Sequence, residues 1–127
     1  FELRLCSPEN FGADINIIKK AKDEGASIVD NILPKDAAKD SNCIVTDTWF
    51  SMGDKEDNAK RKILESYQVT SELINLAKDD SIFLHCLPAH RGEEVTEEVI
   101  DGDKSFVWDE AENRVHAQKG IIDWCFS

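Results

Sequence analysis

Ser81-Ile82-Phe83-Leu84-His85-Cys86-Leu87-Pro88 limits what this chain can fold into more than any other stretch. Its apolar run is too short for an ordinary helix, and Asp79-Asp80 and Pro88 bound it. That pattern reads as a buried β-strand. Pro88 has no N–H to donate and biases Leu87 toward an extended backbone, so the ladder stops there. Ligands of open α/β sheets bind beyond the carboxyl ends of strands. An imidazole and a thiol delivered to that edge therefore form a candidate site, although a lone cysteine on a strand is more often packed core.

The remaining segments supply partners for such a strand. Phe1 to Cys6 alternates apolar and polar residues and is closed by Ser7-Pro8, a strand signature. Ile15, Ile17, Ile18 and Ala21 recur near helical spacing, with Asp14 to cap the entry and Gly25 to end the helix. Ala26 to Val29 is a second strand, Pro34 to Asp40 a short helix opened by its proline, and Cys43 to Asp47 a β-branched third strand. Asp54 to Tyr67 and Val69 to Ala77 have helical patterns, the latter with Thr70 as N-cap. Gly92 to Ile100 is expected as an acidic helix and Phe106-Val107-Trp108 as a last strand. Glu110 to Trp124 is expected as a helix with Ala111, Val115, Ala117, Ile121 and Trp124 as its apolar set. Strands alternating with helices specify an α/β domain with a mostly parallel sheet and helices on both faces. Right-handed crossovers then bring the ends of the third strand and of Ile82–His85 to one edge.

Composition narrows the partners. With 127 residues and a net charge of −11, the chain is one domain by length and lacks the basic stripe that nucleic acid requires. No run is long enough to span a membrane, no targeting segment is visible, and a cytoplasmic location is expected. Cys6, Cys43, Cys86 and Cys125 are widely spaced, without zinc-ligand spacing, which suits reduced thiols. The chain starts directly on a strand, without an initiator Met, and reads as a piece of a longer one.

Three groups converge on the proposed edge: Asp47 at one strand end, Cys86 at another, and Arg114 early in the last helix. Each has a plain structural reading. Asp47 can cap a turn, and Arg114 can pair with Glu110 at i,i+4. Trp49, Trp108 and Trp124 fit a core, His90 and His116 fit a surface, and Glu93, Glu94, Glu97 and Glu98 fit a solvated face. Together, however, the three make one chemistry. An aspartate receives an ammonium, the Ser51-Met52-Gly53 amides meet a carboxylate, and an arginine holds a planar oxyanion or phosphate. A thiol beside them can relay a proton.

Asp47-Thr48-Trp49-Phe50-Ser51-Met52-Gly53, His85-Cys86-Leu87-Pro88 and Glu110-Ala111-Glu112-Asn113-Arg114 resemble the signatures of the ornithine-binding half of ornithine carbamoyltransferases. They stand in that family's order, with Tyr67-Gln68-Val69-Thr70 between them. The resemblance covers nearly the whole chain. It implies a Rossmann-like three-layer domain over residues 1–127, lacking its first strand and helix. It also implies that Asp47, Ser51 and Met52 bind L-ornithine and that Cys86 accepts the amine's proton. Cys86, Leu87 and Arg114 would contact carbamoyl phosphate, with His85 and Pro88 in support. The implied reaction gives citrulline and phosphate, with no metal or organic cofactor.

The family's phosphate-loop domain has no counterpart in this sequence, so the chain alone is expected to be inactive. A missing central strand is expected to leave a gap between two half-sheets, which invites a strand-exchanged dimer. The longer parent is expected to be a homotrimer or higher homo-oligomer. Two other readings remain at this point: a carbamoyltransferase for a modified ornithine or another amine, and a non-catalytic amino-acid-binding module.

Overall fold

The computed structural model describes residues 1–51, 53, 55 and 57–127. Its first half runs β1 (Glu2–Arg4), α1 (Ile15–Asp23), β2 (Ser27–Val29), α2 (Pro34–Ala38) and β3 (Cys43–Thr46). Its second half runs α3 (Asn58–Leu64), α4 (Ser71–Ile74), β4 (Ile82–His85), α5 (Glu97–Ile100) and α6 (Val107–Phe126). Local chemistry sets these ends. The Asp14 carboxylate accepts from Asn16 N–H at 2.7 Å, and Gly25, at φ +94°, lets the chain leave α1. Asp57 and Thr70 cap α3 and α4 by accepting from Ala59 and Leu73 N–H.

Pairing is parallel throughout, and it is divided into two sheets: β1 with β2, and β3 with β4. Ile82 N–H donates to Asn42 O, so alternation turns the backbone groups of Cys43 and Val45 away from β4. Leu5 N–H donates to Val29 O, which likewise leaves those of Glu2 and Arg4 facing away from β2. Between β1 and β3 lies an open slot of about 710 Å³, floored by residues such as Ala37, Tyr67 and Leu73. The gap expected between half-sheets is therefore present. Arg4 ties its rim to α2 by donating to the carbonyls of Ala37 and Lys39, at 3.3 and 2.6 Å.

The core gathers around β4. Phe83 is enclosed by Val69, Ile74, Val95, Val99, Ile100 and Val107, with Ile44 and Leu87 at its margin. No helix among the described residues is long and apolar enough to cross a membrane.

Three local expectations are corrected. Phe106-Val107-Trp108 is not a strand. Phe83 exchanges hydrogen bonds with Lys104 O and Phe106 N–H, a single bridge opposite Ser105, and α6 starts at once. Asp109 and Glu110 in its first turn favour that start through the helix dipole. The acidic helix shrinks to Glu97–Ile100, because Gly92 turns at φ +86° and Val95 bridges to Val69 and Arg91. The apolar set expected for the last helix is largely exposed, as are Trp108 and Trp124, expected in the core: in α6 only Val107 is buried, and Val115, Ile121 and Trp124 meet solvent.

Candidate functional site

The register Thr46↔His85 between β3 and β4 brings the next residues, Asp47 and Cys86, together at the carboxyl ends. Cys86 Sγ–H donates to Asp47 Oδ1 at 3.2 Å, and Thr48 N–H donates to the same oxygen at 2.7 Å. The bond to Asp47 raises the Cys86 thiol above its ordinary range. Burial and the charges of Asp47 and Glu110 add to the rise. The exposed thiol is thus held as a proton donor at neutral pH.

Beyond Asp47 the chain turns. Thr48 Oγ1 donates to Phe50 O at 2.9 Å and lies 3.1 Å from His90 Nδ1. Trp49 is buried, and the Phe50 ring lies under Lys60 Nζ and the Arg61 guanidinium, at 4.8 and 5.4 Å. Ser51 is exposed on this loop. Met52, expected beside it, lies outside the described residues.

Behind Cys86, side chains alternate along β4, so Phe83 and His85 both point into the core. His85 and Glu94 are fully buried, with His85 Nε2 3.0 Å from Glu94 Oε1. Leu87 N–H donates to His85 Nδ1 at 2.9 Å, and His90 N–H donates to Glu94 Oε1 at 2.7 Å. Glu94 Oε2 has no hydrogen-bond partner among the described residues. Glu94 was expected on a solvated face, and that expectation is wrong: it is fully buried, held inside by the His85 ring and by the His90 N–H that its Oε1 accepts. Leu87 stands at φ +53°, a left-handed conformation costing about 1–2 kcal/mol for a residue with a Cβ. The Leu87–Pro88 peptide is cis.

Cys86, Leu87 and Pro88 line a cleft of about 450 Å³ together with Arg91, Trp108 and Arg114. Because α6 starts at Val107, Arg114 stands a turn further along the helix than expected. Arg91 is fixed at the cleft by a forked pair to Asp101, both bonds 2.8 Å long. That pair lowers the Asp101 carboxyl from its ordinary range.

Asp47, Cys86, Leu87 and Arg114 are thus gathered at one end of the β3–β4 sheet. Sequence reasoning missed Glu94, Thr48 and Arg91. Nothing in the acidic run itself singles Glu94 out. Metal-capable atoms of Asp47, His85 and Cys86 come within 4.8 Å of one another, as do those of His90, Glu93 and Glu94. In the first group His85 Nδ1 already accepts from Leu87, and in the second Glu93 is paired with Arg61.

A parallel α/β scaffold that sets an acid and a thiol at adjacent strand ends, the thiol on a cleft shared with a guanidinium, defines a Rossmann-like domain. The chain belongs to the aspartate/ornithine carbamoyltransferases: the family model for their Asp/Orn binding domain matches residues 1–125. It is 52% identical over 126 residues to an ornithine carbamoyltransferase of Rhodopseudomonas palustris (strain BisA53), covering 99% of this chain and 40% of that protein. The solved ornithine carbamoyltransferase of Pyrococcus furiosus superposes with a TM-score of 0.86 at 45% identity, over 95% of this chain and 40% of that one. The ornithine transcarbamoylase of Giardia lamblia gives 0.88 at 32% identity, over 98% and 41%. The chain therefore spans about 40% of the length of the relatives it matches.

Proposed function

We propose that residues 1–127 are the ornithine-binding domain of an ornithine carbamoyltransferase. In this reading Asp47 receives the ammonium of L-ornithine, while Ser51 and Met52 hold its other end. Cys86, the Leu87 carbonyl and Arg114 meet carbamoyl phosphate. The ornithine side-chain amine attacks the carbamoyl carbon, the carbon–oxygen bond to phosphate breaks, and phosphate leaves with its electron pair. The amine's surplus proton goes to the Cys86–Asp47 pair, the thiol taking it as its own hydrogen passes to the carboxylate. The observation that supports this reading best is the 3.2 Å Sγ–H bond to Asp47 beside the cleft lined by Leu87 and Arg114. A guanidinium stabilises developing phosphate charge, and close placement of amine and carbonyl supplies much of the rate.

In the same reading, completing the active site takes a phosphate-binding domain from a longer polypeptide that assembles as a homo-oligomer. The slot between β1 and β3 also supports self-association of the isolated chain by strand exchange. The test is citrulline formation from ornithine and carbamoyl phosphate by the longer polypeptide, with acetylornithine and putrescine as competing amines. Turnover with ornithine, none from the 127-residue chain alone, and at least a tenfold loss in Arg114→Ala are expected. Preference for another amine, or turnover by the isolated chain, would overturn the reading.

A further inference from the structure

We propose that Glu94 is a positioning residue that acts through His85 to present the Leu87 carbonyl to the cleft. The inference deepens the reading above and rests on it for the identity of the ligand. Leu87 N–H donates to His85 Nδ1, so that nitrogen bears a lone pair and the ring's hydrogen sits on Nε2. His85 Nε2–H then donates to Glu94 Oε1, which also receives His90 N–H. A carboxylate with no donor of its own at that place fixes the imidazole in one tautomer, as an acid behind a functional histidine does elsewhere.

The consequence falls on the backbone. With its N–H tied back to the imidazole, Leu87 is held at φ +53° despite the cost of that conformation. Among the described residues nothing donates to its carbonyl. Leu87 lines the cleft shared with Arg114, so a ligand bearing an N–H beside a phosphate, as a carbamoyl phosphate does, meets a fixed acceptor there. His90, whose N–H Glu94 accepts, reaches Thr48 Oγ1 at 3.1 Å, next to Asp47.

The test pairs spectra with kinetics. In the uniformly ¹⁵N-labelled 127-residue chain, a two-bond ¹H–¹⁵N correlation reports which ring nitrogen of His85 carries hydrogen, and exchange into D₂O reports protection of Leu87 N–H. Wild type and Glu94→Gln, whose amide oxygen can accept both bonds, are expected to show the Nε2–H tautomer and a slow Leu87 amide. Glu94→Ala is expected to lose the single tautomer and to exchange that amide at least about tenfold faster. In the longer polypeptide, Glu94→Ala should lower kcat/KM for carbamoyl phosphate by about 10- to 100-fold. The KM for ornithine should stay within about threefold, and Glu94→Gln should restore most of the loss. Hydrogen on Nδ1 in the wild type overturns the proposal without any variant, even where Glu94→Ala fails to fold. Unchanged Leu87 protection, or unchanged kcat/KM in a folded Glu94→Ala, overturns it as well. A wild-type polypeptide that makes no citrulline defeats the proposed function alone, since the spectra still decide the role of Glu94.

Discussion

Phe83→Ala tests whether one small core holds the β4 end of the molecule in place. Phe83 is fully enclosed by the cluster running from Val69 to Val107, and its backbone is bonded on its outer side to Lys104 and Phe106. A buried phenylalanine removes about 150–250 Å² from water. At about 25 cal/mol per Å² that is roughly 4–6 kcal/mol for the whole side chain. Phe→Ala in cores costs about 3–5 kcal/mol once the methyl that remains and the cavity left behind are counted. A chain of 127 residues is stabilised by roughly 6–19 kcal/mol in all, so this one ring carries a large share. With a urea m-value of about 2 kcal/mol/M, the midpoint should fall by about 2 M. Trp49 is the buried indole of the three and stands next to the site, so its fluorescence follows the right region. Val115→Ala on the exposed face of α6 is the control, expected within about 0.5 kcal/mol of wild type. A midpoint change below about 0.5 M for Phe83→Ala, at unchanged slope, would refute the assignment of this cluster as the stabilising core.

Asp47→Asn should make Cys86 more reactive. The carboxylate that raises the thiol's pKa is replaced by a neutral acceptor, the pKa falls, and the thiolate fraction at pH 8 rises. Iodoacetamide alkylation followed by peptide mass spectrometry measures it, and an unchanged or slower rate at Cys86 counts against the Asp47 bond. Val45→Pro removes an N–H that faces the slot. Sedimentation should show the isolated chain self-associating less in that variant, whereas equal association in both would mean that the strand edge is not the interface.

The order of elements was readable because it rests on periodicity and punctuation. The capping Asp14 and Thr70 and the helix-opening Pro34 each act within a turn of where they stand. The convergence of Asp47 and Cys86 was legible too, since parallel pairing of adjacent strands aligns their ends. What failed depended on distant partners. Phe106-Val107-Trp108 has strand-forming residues, yet one bridge to Phe83 and two acids in the next turn send it into a helix. Glu94 looks like any member of an acidic run, and only its burial against the facing imidazole reveals its place. The apolar residues of α6 carry a helical signal that is real, but periodicity says that a face is apolar, not that anything covers it.

Helix α6 stands mostly clear of the core. It has 20 residues, about 30 Å in length, and only its root is embedded, while Gly120 sits in its outer half. Short helical segments without tertiary support are marginal in water. Its outer turns are therefore a lever whose stiffness is set from outside. Arg114 rides at the fulcrum, so whatever steadies the far end is transmitted along the helix and decides how firmly the guanidinium is held over the cleft.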